Sequence, residues 1–193
     1  MPDEALLVDV GDGVAPTSDG WFVVNARDAA WVTNEKFGSR CVFEASERVL
    51  EHRPDLSAHW FPQVGYNLDV ILPGQPSGLY HDESAQEDFL VLAGECTLLV
   101  EGEERTLRRW DFFHSPPGTE HIFIGAGEGP CAIFMVGARG ERMSIRYPVS
   151  ELAAGRDASV PQETNDPDEA YVGRFEPSRR ERPSTWHRLP WSE

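Results

Sequence analysis

The chain has 193 residues, 40% of them hydrophobic and including ten Phe and six Trp, which is enough for one domain with its own buried core and too few for a multidomain assembly. Asp and Glu together number 33 against 17 Lys and Arg, a formal net charge of −16, and that surplus repels nucleic-acid phosphates and anionic lipid headgroups alike. The longest uninterrupted apolar stretch, residues 131–136, is far short of the roughly 20 residues that a membrane-spanning helix needs.

The opening MPDEALLVDVGDG has neither the basic start nor the apolar run of an export signal, and a soluble, cytoplasmic protein is expected. Cys41, Cys96 and Cys131 form no C-x-x-C pair and no even framework, so buried free thiols are expected rather than disulfides. Residues 1–20, rich in Gly, Asp, Pro and Ser, read as a flexible lead, with order beginning at residue 20 or 21. The apolar bursts WFVV and CVFE, on either side of DAAW, read as short strands flanking a helical turn. Residues 45–62 read as irregular or partly helical. In GYNLDVILPG, Tyr66, Leu68, Val70 and Leu72 alternate on one face and the run ends at Pro-Gly, as a strand meeting a turn does.

The stretch 78–139 carries the densest signal. Residues 89–93 are apolar and stop at Gly94, residues 96–100 follow, and EGEE makes a polar turn containing Gly102, which is hairpin grammar. RTLRRW, DFFHS closed by Pro116-Pro117-Gly118, HIFIG, the link GAGEG and CAIFMVG continue the pattern. Short strands recurring about every ten residues between turn signals are the mark of an all-β sandwich or barrel. Beyond residue 139, SIRY reads as a last strand, PVSELAAG as a short helix capped by Ser150, and the segment from Asn165 as another helical turn. The Pro-, Arg- and Trp-bearing tail from residue 176 reads equally as a disordered end or as an arm lying along the acidic body or a neighbouring subunit.

His81, Glu83 and Glu87 share one parity, so on a regular strand their side chains point to one face. His121, just past the Pro-Pro-Gly turn, opens another apolar strand and supplies a second imidazole. Two imidazoles and two carboxylates without a thiolate suit Fe(II), Mn(II), Ni(II) or Zn(II), and two His with one carboxylate is the facial set of non-haem iron chemistry. Tyr80, Phe89, His114, Phe123 and Met135 are the expected pocket-lining residues.

The run GLYHDESAQEDFLVLAGE resembles the first motif of the cupin superfamily, in which His, one residue, His, three or four residues, Glu, six residues and Gly follow in order; Glu87 to Gly94 has the final spacing. WDFFHSPPGTEHIFIG resembles the second motif, in which Gly, five residues, Pro, one residue, Gly, two residues and His precede a strand; Pro116, Gly118 and His121 fall into place. The resemblance covers roughly residues 65–137 and identifies the chain as similar to small single-domain, conserved-barrel cupins. It implies an all-β, jelly-roll double-stranded β-helix over residues 21–147, with core motifs at 78–137, N-terminal strands, and a C-terminal arm at 148–193 with short helices. It makes His81, Glu87 and His121 metal ligands. Glu83 stands where the family has a histidine, so it either coordinates or stands beside an open position as a general base. Trp110 replaces the usual Gly before Asp111, and Gly125 replaces a frequent Asn.

Two main functional classes follow, beside a third reading as a structural protein whose barrel serves only oligomerisation. One is a metal-dependent enzyme acting on a small organic molecule by dioxygenase-, decarboxylase- or isomerase-like chemistry. The other is a non-catalytic barrel that binds or senses a small ligand. The fold itself does not choose between them. A homodimer is expected, because a single barrel of this kind exposes a sheet edge and an apolar face.

Overall fold

The structure is a computed structural model that describes residues 3–44, 61–140, 143–174 and 178–191. In chain order the strands are β1 (Leu7–Asp9), β2 (Val14–Pro16), β3 (Trp31–Asn34), β4 (Gly38–Cys41), β5 (Val64–Ile71), β6 (Asp82–Glu83), β7 (Glu87–Ala93), β8 (Glu95–Val100), β9 (Glu103–Arg108), β10 (Phe112–Ser115), β11 (His121–Ala126), β12 (Cys131–Ala138) and β13 (Ile145–Arg146). Two short helices follow, α1 (Glu151–Ala154) and α2 (Pro167–Ala170), and then a 3-10 turn at Trp186–Arg188.

Six strands in the order β10-β7-β12-β5-β4-β3 form one sheet, and β11-β8-β9 form a second. All their pairings are antiparallel. Alternation along each strand sends one set of side chains inward. Ile71, Phe89, Val91, Cys96, Leu98, Phe123, Cys131, Ile133 and Met135 meet between the sheets as a buried cluster. The chain changes sheet at Gly94, whose φ is +75°. A Cβ there would lie 2.2 Å from the Pro130 carbonyl oxygen, which leaves room for glycine alone. The β8–β9 hairpin turns through Glu101 and Gly102, both at positive φ, the two-residue geometry that matches strand twist. This is the all-β, double-stranded β-helix expected from the sequence.

The outer faces are covered unequally. On the second sheet, Tyr80, Leu99, Ile122 and Ile124 pack with Ala153 of α1 and with Ala158; Ser150 caps α1 by accepting from the Ala153 N–H. On the first sheet, Trp31 is fully buried and its ring meets Trp186 at 5.6 Å and Trp191 at 5.9 Å. Over the described residues 178–191 the C-terminal tail therefore lies along the body, and Arg179 bridges Thr33 as an added backbone partner.

Three local readings differ from the sequence expectation. Residues 7–16, expected as part of an irregular lead, hold the β1–β2 hairpin, with Ala15 fully buried beneath it. WFVV is not a strand: Trp21 makes one bridge to Glu4 and Val23 is 82% exposed. The strand placed on CVFE begins earlier, at Gly38, because the polar Ser39 and Arg40 are satisfied in the sheet, Ser39 by Thr33 at 2.7 Å and Arg40 by Asp69. The irregular segment expected over residues 45–62 falls almost wholly outside the described residues. The three cysteines are free and buried. Among the described residues, no helix is long and apolar enough to cross a membrane.

Candidate metal centre

His81 and His121 form an antiparallel bridge in which each backbone N–H donates to the other's carbonyl, at 3.2 and 2.8 Å. Residues directly opposed in this way put their side chains on the same face of the pair. The imidazole centroids are 5.1 Å apart. Glu87 comes from the other sheet, at the start of β7, opposite Ser115 of β10 and Gly137 of β12. One ligand atom from each of His81, Glu87 and His121 lies within 4.8 Å of the other two, and His121 Nε2 is 3.5 Å from a Glu87 carboxylate oxygen.

The ring hydrogen bonds set the tautomers. His81 Nδ1 is 2.6 Å from the Leu79 carbonyl oxygen and His121 Nδ1 is 3.0 Å from that of Thr119. A carbonyl only accepts, so each Nδ1 carries a proton, and in the neutral ring the lone pair is the one on Nε2. That backbone-fixed arrangement is how metal-binding imidazoles are oriented. Burial, then the neighbouring His81, pushes His121 down to about 3, so it is neutral and basic at Nε2 at ordinary pH. Burial, then the charge of Glu83, pushes Glu87 up to about 8. A divalent cation would reverse that penalty on Glu87. The donor set, two nitrogens and a carboxylate oxygen, fits a divalent first-row ion.

Glu83 is not in the three-residue cluster. The parity argument assumed one strand through residues 81–87, but the chain bends at Ser84 and Ala85 between β6 and β7. His81, Glu83 and Glu87 consequently sit on three separate elements, and β6 pairs with β13 rather than continuing into β7. The Glu83 carbonyl accepts from the Gly118 N–H at 2.8 Å, which ties the Pro-Pro-Gly turn to the loop that carries His81. The Glu83 carboxyl is pushed up by burial, partly offset by His81 and Arg139.

The other sequence-selected residues divide by strand parity. Phe89 and Phe123 are inside, with rings 5.1 and 6.2 Å from His121, and Met135 joins the same buried cluster. Tyr80 does not line the site: as the neighbour of His81 it points to the opposite face, and its hydroxyl accepts from the Gly102 N–H. His114 also points away, half exposed, with Nδ1 2.7 Å from Asp88. The inward residue of that strand is Phe113, 5.6 Å from His121. Sequence reasoning passed over Phe113, and also Tyr147, whose ring is 5.9 Å from His81. For Phe113 the signal was there, since alternation back from the buried Ser115 puts it inside.

Both departures from the motif are accommodated. A Cβ at Gly125 would lie 2.1 Å from the Leu72 carbonyl oxygen, so the strand passes too close for any side chain there. Trp110 adopts φ +77°, the conformation that a glycine would take without strain.

Residues 67–137 match the family model for the cupin domain. Similar solved structures include a protein provisionally described as a sugar phosphate isomerase from Acidithiobacillus ferrooxidans (26% identity over 43% of this chain and 55% of that one, TM-score 0.41). A sugar phosphate isomerase from a cupin superfamily, from Silicibacter pomeroyi, is 21% identical over 64% of this chain and 79% of that one, with TM-score 0.48. A Cupin 2 conserved barrel domain protein from Salinispora arenicola is 23% identical over 38% of this chain and 61% of that one, with TM-score 0.36. In the first and third cases the match spans less than two thirds of the other chain. At TM-scores below 0.5 these likenesses bear on neither activity nor substrate. None of the curated proteins matches the chain. The cupin-domain match falls on the strands that deliver His81, Glu87 and His121 to one point between two antiparallel sheets, and over residues 67–137 the chain carries a cupin domain.

Proposed function

We propose that the protein holds a divalent transition-metal ion, Fe, Mn, Ni or Zn, on His81, Glu87 and His121 and uses it as an enzyme on a small organic molecule. The observation that carries this reading is the convergence of two Nε2 lone pairs, each fixed by a backbone carbonyl, and one buried carboxylate within 4.8 Å of one another. Bound there, such an ion polarises a substrate oxygen or supplies redox chemistry. Three protein donors leave coordination positions for an exchangeable molecule, as catalytic rather than structural sites do. Phe89, Phe113 and Phe123 give the interior beside the ligands an apolar wall and exclude water from it. Glu83, outside the cluster but within its electrostatic reach, is placed to hold a proton and pass it to a group beside the ligands.

An open coordination position distinguishes this reading from a closed structural site. The protein loaded with Co(II) should change its visible spectrum on titration with azide, with saturation, and His121→Ala should lose the Co(II) spectrum altogether. A Co(II) spectrum indifferent to azide would contradict an exchangeable position. The homodimer expected from the sequence is likewise a proposal, supported by β10 at the edge of the larger sheet, which exposes Phe112 beside the exposed Trp110 of the preceding turn, and light scattering at micromolar concentration would test it.

A further inference from the structure

A cavity of about 140 Å³ opens between the inner face of β4 and β5 and the segment at residues 77–78. It shares an inner sheet surface with the metal centre but is displaced along it. Asn67 on its wall stands opposite Met135, and Met135 stands opposite Phe89, whose ring packs on His121. At a strand spacing of about 4.8 Å, Asn67 and Phe89 are roughly 10 Å apart. Met135 and Phe89, both buried, fill the space between.

The polar groups on this wall are incompletely used by the fold. Arg40 sends Nε and Nη2 to the two oxygens of Asp69 at 2.8 and 2.7 Å, which leaves the Nη1 pair of its five donors without an acceptor among the described residues. The Asn67 amide and the Ser77 hydroxyl also line the cavity, and neither makes a side-chain hydrogen bond among the described residues. On the other side stand aromatic rings, Phe37 and Tyr171, whose centroids are 5.4 Å apart.

The charges on the wall cancel. Burial works against the Arg40 charge, but Asp69 more than restores it, and the two carry opposite unit charges in contact. Glu44, also on the wall, is neutralised by Arg139. An anion entering here meets two carboxylates, and a cation meets the Arg40 guanidinium and two carboxylates that already have guanidinium partners, so neither is favoured. What remains is an array of donors and acceptors in a neutral setting with an apolar wall opposite. A cavity of about 150 Å³ accommodates a molecule the size of benzene, which limits the enclosed part to about six to eight non-hydrogen atoms.

We propose that this cavity is a second ligand site, separate from the metal centre, that takes a small neutral polyhydroxylated molecule. One hydroxyl oxygen accepts from Arg40 Nη1, neighbouring hydroxyls exchange hydrogen bonds with Asn67 and Ser77, and the C–H face lies on Phe37 and Tyr171. The Asp69 pairing keeps the Arg40 fork fixed before the ligand arrives, so little ordering cost is added on binding.

Erythritol is a suitable probe, with malonate as an anion of similar size, using saturation-transfer NMR on the full chain. Erythritol should receive saturation at concentrations of order 10 mM, the range expected for so small a ligand. Asn67→Leu, which keeps the side-chain shape but removes both amide groups, should weaken it at least tenfold, and Ser77→Ala should weaken it several-fold through loss of one hydrogen bond. His121→Ala should leave it unchanged, since Met135 and Phe89 stand between. Thermal midpoints check that each variant is folded, and Ser77→Ala carries the test if Asn67→Leu is not. Absence of erythritol binding, displacement of erythritol by equimolar malonate, unchanged binding in folded Ser77→Ala, or loss of binding in His121→Ala would each overturn the proposal.

Discussion

Two polar clusters are buried against the same inner surface of the barrel, and they are satisfied in opposite ways. At the β4–β5 end, Arg40 and Asp69 stand opposite one another in register and close a two-bond fork. The site contains its own counter-charge. At the β7–β11 end, His81, Glu87 and His121 converge with no cation of their own; Glu87 is pushed up to about 8 and His121 down to about 3. Burial works against the charged form of both groups, and a buried carboxylate next to Glu83 is stable only if it is protonated or faces a cation. The first cluster is balanced in charge as the chain folds it. The second is complete only with something added, and its donors are those that a divalent metal requires.

The largest effect that separates the two should come from Arg40→Met. Asp69 has a side chain only 3% exposed, and removing its partner strands a buried charge. The expected loss is about 3 kcal/mol in urea unfolding, at the low end for a broken buried pair because Arg40 is itself 39% exposed and water can follow its departure. The double variant Arg40→Met, Asp69→Leu should recover most of that loss. If the double variant is as unstable as the single one, the pair is not self-contained and the contrast fails.

A smaller effect, of the opposite origin, belongs to the metal centre. In metal-free protein, Glu87 titrates near 8 against an ordinary value of 4.5, so between these values the folded state holds the extra proton and stability falls as pH rises. His121 titrates near 3 against 6.5, so between those values the unfolded chain holds the extra proton and stability rises with pH. Above pH 6.5 the histidine slope is less than half its full size and fades within about one pH unit, while the carboxylate slope is near its full size and sets the sign. Metal-free protein should therefore lose stability from pH 6.5 to about 8, while Glu87→Gln should be flat over that window in thermal or urea unfolding. A metal-free wild type that gains stability across the window would contradict the assignment.

The smallest effect lies outside both clusters and serves as a control on the family motif. Trp110 holds φ +77° on the surface, 62% exposed, with the Arg109 guanidinium 4.8 Å above its ring. A left-handed conformation costs an L-residue about 1–2 kcal/mol, and an exposed cation–π contact returns about 0.5–1 kcal/mol. Trp110→Gly should then stabilise the protein by up to about 1 kcal/mol and leave metal binding untouched. Destabilisation would mean that the ring does more than the backbone strain costs.

The contrast between the clusters also accounts for what the sequence disclosed. Barrel strands with apolar inward faces were legible as alternation, and the two motif spacings located His81, Glu87 and His121. The reason offered for their shared face was wrong, since Ser84 and Ala85 bend the chain; the backbone bridge between His81 and His121 aligns the two imidazoles, and Glu87 reaches them from the facing sheet. A bridge between residues 40 apart leaves no local trace. Tyr80 and His114 are close to the ligands in sequence but not in the site, because strand alternation sends adjacent residues to opposite faces. The second polar cluster was hidden for a related reason. Arg40 and Asp69 are inward-facing charges, and without knowledge of their pairing they read as solvent-facing residues that interrupt the strand pattern.

The most direct test of the central claim is the metal content of protein purified without a metal-binding tag, measured for the wild type and His121→Ala and for each after reconstitution with iron, manganese, nickel and zinc. Near-stoichiometric metal in the wild type, falling at least tenfold in a folded His121→Ala, is the predicted result. A wild type that stays substantially metal-free after reconstitution, or a His121→Ala variant that retains full occupancy, would contradict it.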